Sequence, residues 1–169
     1  MANVPPKMTY YTKVVDNLTG EQIFGYVSTV KNKTLYYGSV DGLNGGESQY
    51  SVFFDIWNNE PGWSGGTPLQ IAQDATNCKL RINIPAESRD INPFLYARCT
   101  TADLQGPFES LNMGRREFDG IKGNMSKDMG VILGSGDHAT IQTKIKLKPG
   151  LSICRAQYAF ELVFSYNFE

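Results

Sequence analysis

Asp55 and Glu60 are the residues of this chain whose types and spacing come nearest to a reaction. They stand in the run Phe53-Phe54-Asp55-Ile56-Trp57-Asn58-Asn59-Glu60-Pro61-Gly62-Trp63. Two carboxyl groups about 5–10 Å apart can share the acid and the base or nucleophile roles of glycoside hydrolysis. Aromatic rings beside such a pair offer flat apolar faces to a sugar. The spacing argues against that chemistry, because Asp55 reads as an outward residue of a strand while Glu60 follows later, in an irregular stretch. The same run suits recognition better. Trp57 and Trp63 are the only tryptophans, and they bracket a stretch rich in Asn, Gly and Pro. With Asn58, Asn59 and Glu60 they form a candidate aromatic loop for a glycan, a lipid headgroup or another protein. Trp57 also ends an apolar strand, so it suits the end of a core equally well.

Other reactive types are sparse. The single histidine, His138, lies in Gly134-Ser135-Gly136-Asp137-His138. Adjacent Ser, Asp and His do not converge as a triad, because neighbouring strand residues point apart. A turn entering a strand accounts for that pentapeptide. One histidine and three scattered cysteines make no zinc set. Gly134-Ser135-Gly136 also lacks the lysine and the helix of a phosphate-cradling loop. Asp41, Asn44 and Glu47 carry oxygen ligands at a spacing that matches no calcium loop, and a solvated turn is the expected state. No metal or cofactor is expected, and the chain reads as a non-enzyme. Asn17-Leu18-Thr19, Asn32-Lys33-Thr34 and Asn124-Met125-Ser126 satisfy the glycosylation sequon. In an Asn-rich chain without a visible secretory signal they read as chance matches.

The whole-chain properties narrow the classes further. A length of 169 residues suits one domain, 1–169, able to bury a core without disulfide or metal support. A net charge of -1 does not suit a general nucleic-acid binder. No apolar run approaches the roughly 18 residues of a membrane-spanning helix. No signal peptide is legible at Met1-Ala2-Asn3-Val4-Pro5-Pro6-Lys7. Cys78, Cys99 and Cys154 are odd in number; reduced core thiols are expected, with a Cys78–Cys99 disulfide as the alternative. Lys144, Lys146 and Lys148 share one strand face, expected to be a solvated or edge-protecting row.

The elements that must position these residues are strands. β signals recur every eight to fifteen residues between Gly, Asn, Asp and Pro. Strands are expected at Met8 to Val15, Gln22 to Val30, Thr34 to Val40, Ser48 to Trp57, Leu69 to Ala72, Cys78 to Ile84, Phe94 to Cys99, Val131 to Leu133 and Ala139 to Leu147. Gln22 to Val30 and Thr34 to Val40 read as a hairpin across Lys31-Asn32-Lys33. A short helix is conceivable only near Ala102 to Gln105. The clearest strand is Arg155 to Glu169, where Tyr158, Phe160, Leu162, Phe164, Tyr166 and Phe168 fall on one face at a period of two. Lys148-Pro149-Gly150 is expected to fold the chain back into it as a final hairpin, with Ile141, Ile145 and Leu147 on the same side as the aromatic face. The expected fold is all-β: an antiparallel sandwich or jelly roll with little or no helix.

Phe168, Tyr166, Phe164 and Leu162 are similar to the terminal strand of chaperone–usher pilins, although Ala156 stands about where those have glycine and no pilin-like disulfide is visible. The Phe53–Trp57 strand resembles the acidic strand of jelly-roll glucanases, with Phe53 where those carry an acid. In style the chain resembles cytolysins of the aegerolysin kind. Three functions follow. The preferred one is a self-associating, non-enzymatic binding module for a membrane surface or glycan. The alternative is a structural subunit of a virion, tail or pilus, assembled through its terminal strands. The third is a small hydrolase using Asp55 and Glu60.

Overall fold

The computed structural model describes residues 4–28, 36–41, 43–61, 71–83, 95–101, 106–111, 117–125, 132–150 and 160–168. Among these the chain forms strands and no helix: β1 (Met8–Asp16), β2 (Gln22–Ser28), β3 (Gly46–Glu47), β4 (Tyr50–Asn58), β5 (Ala75–Asn83), β6 (Leu95–Cys99), β7 (Glu109–Ser110), β8 (Glu117–Phe118), β9 (Ile132–Leu133), β10 (His138–Leu147) and β11 (Glu161–Asn167). The larger sheet runs β2-β1-β4-β10-β6-β7, with β3 on β10, and the smaller runs β11-β5-β8, with β9 on β5. All these pairings are antiparallel. The fold is therefore an all-β, sandwich-like arrangement, as the alternation predicts.

Period-two patterning explains where the core sits. Val52, Phe54 and Ile56 of β4, Ala139 and Ile141 of β10, and Leu95, Ala97 and Cys99 of β6 point to one side of the larger sheet and are buried. Cys78, Leu80 and Ile82 of β5 and Phe118 of β8 meet them from the smaller sheet. Phe160, Leu162, Phe164 and Tyr166 pack against this cluster, partly buried. Tyr10 of β1 reaches across to Phe164, edge to face, with ring centroids 6.0 Å apart. A buried hydroxyl pair crosses the core: the Tyr37 and Thr143 oxygens lie 2.7 Å apart, and Thr143 Oγ1 donates to the Val52 carbonyl.

Several elements depart from the sequence expectations. The final hairpin does not form, because β10 is already paired with β4 on one side and β6 on the other. The chain crosses instead to the smaller sheet, where β11 pairs with β5, some eighty residues earlier. Ile141 and the aromatic face still meet, but across the core from opposite sheets. β2 pairs with β1, while the turn expected at Lys31-Asn32-Lys33 lies outside the described residues. The turn between β1 and β2 is closed by the Asp16 carboxylate, which accepts from the Leu18 and Thr19 amides, and by Gly20 at φ 73°. Tyr36 to Val40 form no strand, and Ala72 makes only an isolated parallel bridge to Val4. Phe168 follows the last paired residue of β11 and is 49% exposed, so it is not part of the buried row. The helix expected at Ala102 to Gln105 lies outside the described residues, as do Tyr158, Cys154 and Trp63.

Candidate functional site

The outer face of the larger sheet gathers most of the residues named for chemistry. Its register aligns Thr9 with Trp57 and Tyr11 with Asp55 across β1 and β4. It aligns Trp57 with His138 and Asp55 with Thr140 across β4 and β10. Because Tyr10, Thr12 and Val14 turn inward, Thr9 and Tyr11 turn outward with Asp55 and Trp57. The Trp57 and His138 rings stack, with centroids 4.3 Å apart and planes 23° from parallel. His138 Nδ1 is buried and has no hydrogen-bond partner.

Glu60 joins this face although it lies beyond the strand. Asn59 takes a left-handed backbone, φ 53°, which turns the chain back over β1. Glu60 Oε2 then accepts from the Tyr11 hydroxyl at 2.6 Å and from Thr9 Oγ1 at 3.1 Å. That bond holds the Tyr11 proton and raises its pKa above the ordinary phenol value. Asp55 Oδ1 accepts from Thr140 Oγ1 on the neighbouring strand. Both carboxylates are thus fixed by the chain's own hydroxyls on one face. The sequence had set them apart, one on a strand and one in a loop.

Asn58 has a different place from the one its neighbours suggest. It is fully buried. Its Oδ1 accepts from the Lys7 amide, its Nδ2 donates to the Gln73 carbonyl, and its backbone bonds Asp137 and Gly136. It is an interlock between three loops, not a surface for a ligand. Asn59 extends the interlock by donating from Nδ2 to Ser135 Oγ, which the Ala72 amide also reaches. The buried Asp137 completes this end by accepting from the Met125 and His138 amides. The glycine at 123 is required there, since a Cβ would fall 2.1 Å from Asp137 Oδ2. Gly134 to Asp137 form the expected turn into β10, with the Asp137 amide donating to the Gly134 carbonyl.

No family model, curated protein or solved structure matches the chain. The face must therefore be read from its own chemistry.

Its second half lies one step further along the strands. Lys13, Phe53, Gln142 and Arg98 form one register row across β1, β4, β10 and β6. Lys13 Nζ sits 5.0 Å from the Phe53 ring centre. Arg98 and Lys144 both lie over the Phe108 ring, at 4.4 Å and 4.1 Å. Arg98 Nε donates to Gln142 Oε1, and Lys144 pairs with Glu47 at 2.7 Å.

Other candidates resolve locally. Asp41 spends its oxygens on the Leu43 and Asn44 amides and the Asn44 side chain, and Glu47 is committed to Lys144. Among the described residues no group of three or more His, Cys, Asp or Glu is gathered as a metal would need. No helix among them is long and apolar enough to cross a membrane. Cys78 and Cys99 are both buried, and neither is in a disulfide. Cys99 lies within hydrogen-bond range of Thr101 Oγ1 and the Lys122 backbone.

The sequence reading missed Thr9, Tyr11 and Thr140, and gave His138 no role beyond its turn. Their outward parity was legible in each strand. The register that sets them around Asp55 and Trp57 was not.

Proposed function

We propose that the protein recognises a glycan on the outer face of its larger sheet and does not transform it. The observation that carries this reading is the Trp57–His138 stack standing beside two hydroxyl-anchored carboxylates, Asp55 and Glu60. An aromatic platform next to fixed acceptors is the pairing a sugar needs, since its ring carbons are apolar on a face and its hydroxyls are donors at the rim. Anchoring by Tyr11, Thr9 and Thr140 favours binding over catalysis, because these carboxylate oxygens are engaged in holding the chain's own hydroxyls. The test is an oligosaccharide array followed by calorimetry. Retention that disappears in Trp57→Ala and persists in Lys79→Ala supports the reading, and equal retention by both variants overturns it. Glycan cleavage that is lost in Asp55→Asn would make the protein an enzyme.

A second reading, a structural subunit assembled through its terminal strand, is supported by β11 ending the order β11-β5-β8 and by the exposure of Val163 and Phe168. A large ordered assembly in light scattering without any ligand would favour it over glycan binding.

A further inference from the structure

We infer that the glycan is acidic, and that Arg98 and Lys144 receive the carboxylate of a uronate unit at the end of the face remote from Trp57. This rests on the glycan reading and adds the ligand's charge and length to it. Phe108 carries two cations over one ring, and of the two only Lys144 has a carboxylate partner among the described residues. Glu47 offsets the charge of Lys144, so Arg98 is the cation left without a carboxylate among the described residues, and an incoming anion supplies one. The Arg98 guanidinium is already oriented. Its Cζ lies 4.4 Å from the Phe108 ring centre, and Nε is committed to Gln142 Oε1 at 2.8 Å, which among the described residues leaves the two terminal nitrogens for a ligand. A paired N–H edge of that kind matches the two oxygens of a carboxylate.

Length follows from the register. Phe53, Gln142 and Arg98 are aligned across adjacent strands, and Trp57 is four residues along β4 from Phe53. At about 3.4 Å per residue and about 4.8 Å between strands, Trp57 and Arg98 stand about 17 Å apart. One sugar cannot touch both, so the ligand is an oligosaccharide. One unit stacks on Trp57 beside Asp55 and Glu60 as hydroxyl acceptors, and a charged unit lies on Arg98. Carboxylates at both ends would suffer repulsion at Asp55 and Glu60, so the neutral portion belongs on Trp57.

The experiment titrates the intact chain with a panel of hexasaccharides that combine neutral and uronate units, and with the same hexasaccharides after methyl esterification, which removes only the charge. At least one member is expected to bind about tenfold more tightly as the free acid, with the difference shrinking as salt is raised. In Arg98→Gln the acid and ester should converge while ester binding persists; Lys144→Gln gives the same test if Arg98→Gln fails to fold. Trp57→Ala should weaken both forms. Equal binding of acid and ester, both lost in Trp57→Ala, overturns the inference and leaves the glycan reading standing. Binding of neither form, on this panel or on the array, overturns both. Acid binding that ignores Trp57→Ala means simple ion exchange and overturns the inference. So does binding to phosphatidylserine vesicles, lost in Arg98→Gln, without any oligosaccharide binding.

Discussion

The two sheets turn very different outer faces to the surroundings. On the smaller sheet, Lys79 and Arg81 of β5 hold Glu117 of β8 at 3.1 Å and 2.6 Å, and Asn83 donates to Glu161 across to β11. These groups are short-range and well hydrated, and their neighbours Lys79 and Arg81 keep the Glu117 carboxyl below its usual range. On the larger sheet the same outward positions carry Trp57, His138, Tyr11 and Phe53, with carboxylates bonded by hydroxyls. A face that only has to stay soluble needs charge alternation and nothing more. Half-buried rings and oriented acceptors are additional, and among the described residues they stand on one sheet only.

The comparison can be broken or sharpened by substitution. The largest effect should come from Asn58→Ala, which leaves the Lys7 amide and the Gln73 carbonyl without this partner. Two such part-buried backbone groups should cost about 2–4 kcal/mol in urea unfolding. If stability barely changed, the loop interlock would not be what supports the larger face. Next, Trp57→Ala should weaken oligosaccharide binding by about tenfold or more, with less loss of stability than Asn58→Ala. Smaller again is Tyr11→Phe, which removes the shorter of the two hydroxyl bonds that hold Glu60 and should weaken binding about threefold by calorimetry. Least of all, Glu117→Gln should leave both binding and the denaturation midpoint at neutral pH nearly unchanged, because its ion pairs are open to solvent on one side. A clear loss of binding in Glu117→Gln would erase the distinction between the faces.

A pH experiment reaches the layer between the faces. Burial pushes the Tyr10 phenol up to about 12 from its ordinary value of 10.0. The phenol of Tyr37 is raised as well, chiefly by burial. Raised folded-state values mean that this stability is complete below pH 10 and is lost as pH climbs through 12. Urea midpoints measured from pH 9 upward should therefore fall, and Tyr10→Phe should make the fall shallower.

Legibility in the sequence followed the range of the interaction. The alternation of Phe160, Leu162, Phe164 and Tyr166 is a local property, and those residues do face the core. Which strand β11 would join was not legible, because a period of two is silent about partners. Asn58 read as a loop residue, since an amide beside Asn59 and Pro61 looks solvated; its remote partners Lys7 and Gln73 make it a buried strut. Glu60 seemed too far from Asp55, because nothing local announced that Asn59 would turn the chain back over Tyr11. His138 fitted its turn correctly, but its stacking on Trp57 depends on a register spanning some eighty residues.

The pairing of β5 with β11 has a consequence for the order of events during synthesis. β5 is complete by Asn83, yet the strand that covers one of its edges begins only at Glu161. Throughout the intervening elongation, Leu80 and Ile82 lack the Phe164 and Leu162 side chains that will pack beside them. At about 5–20 residues per second, that exposure lasts for several seconds on the ribosome. The smaller sheet therefore closes only after the larger one has most of its strands. A chaperone that shields aliphatic segments should be found on nascent chains that end between β5 and β11, and should leave once β11 emerges.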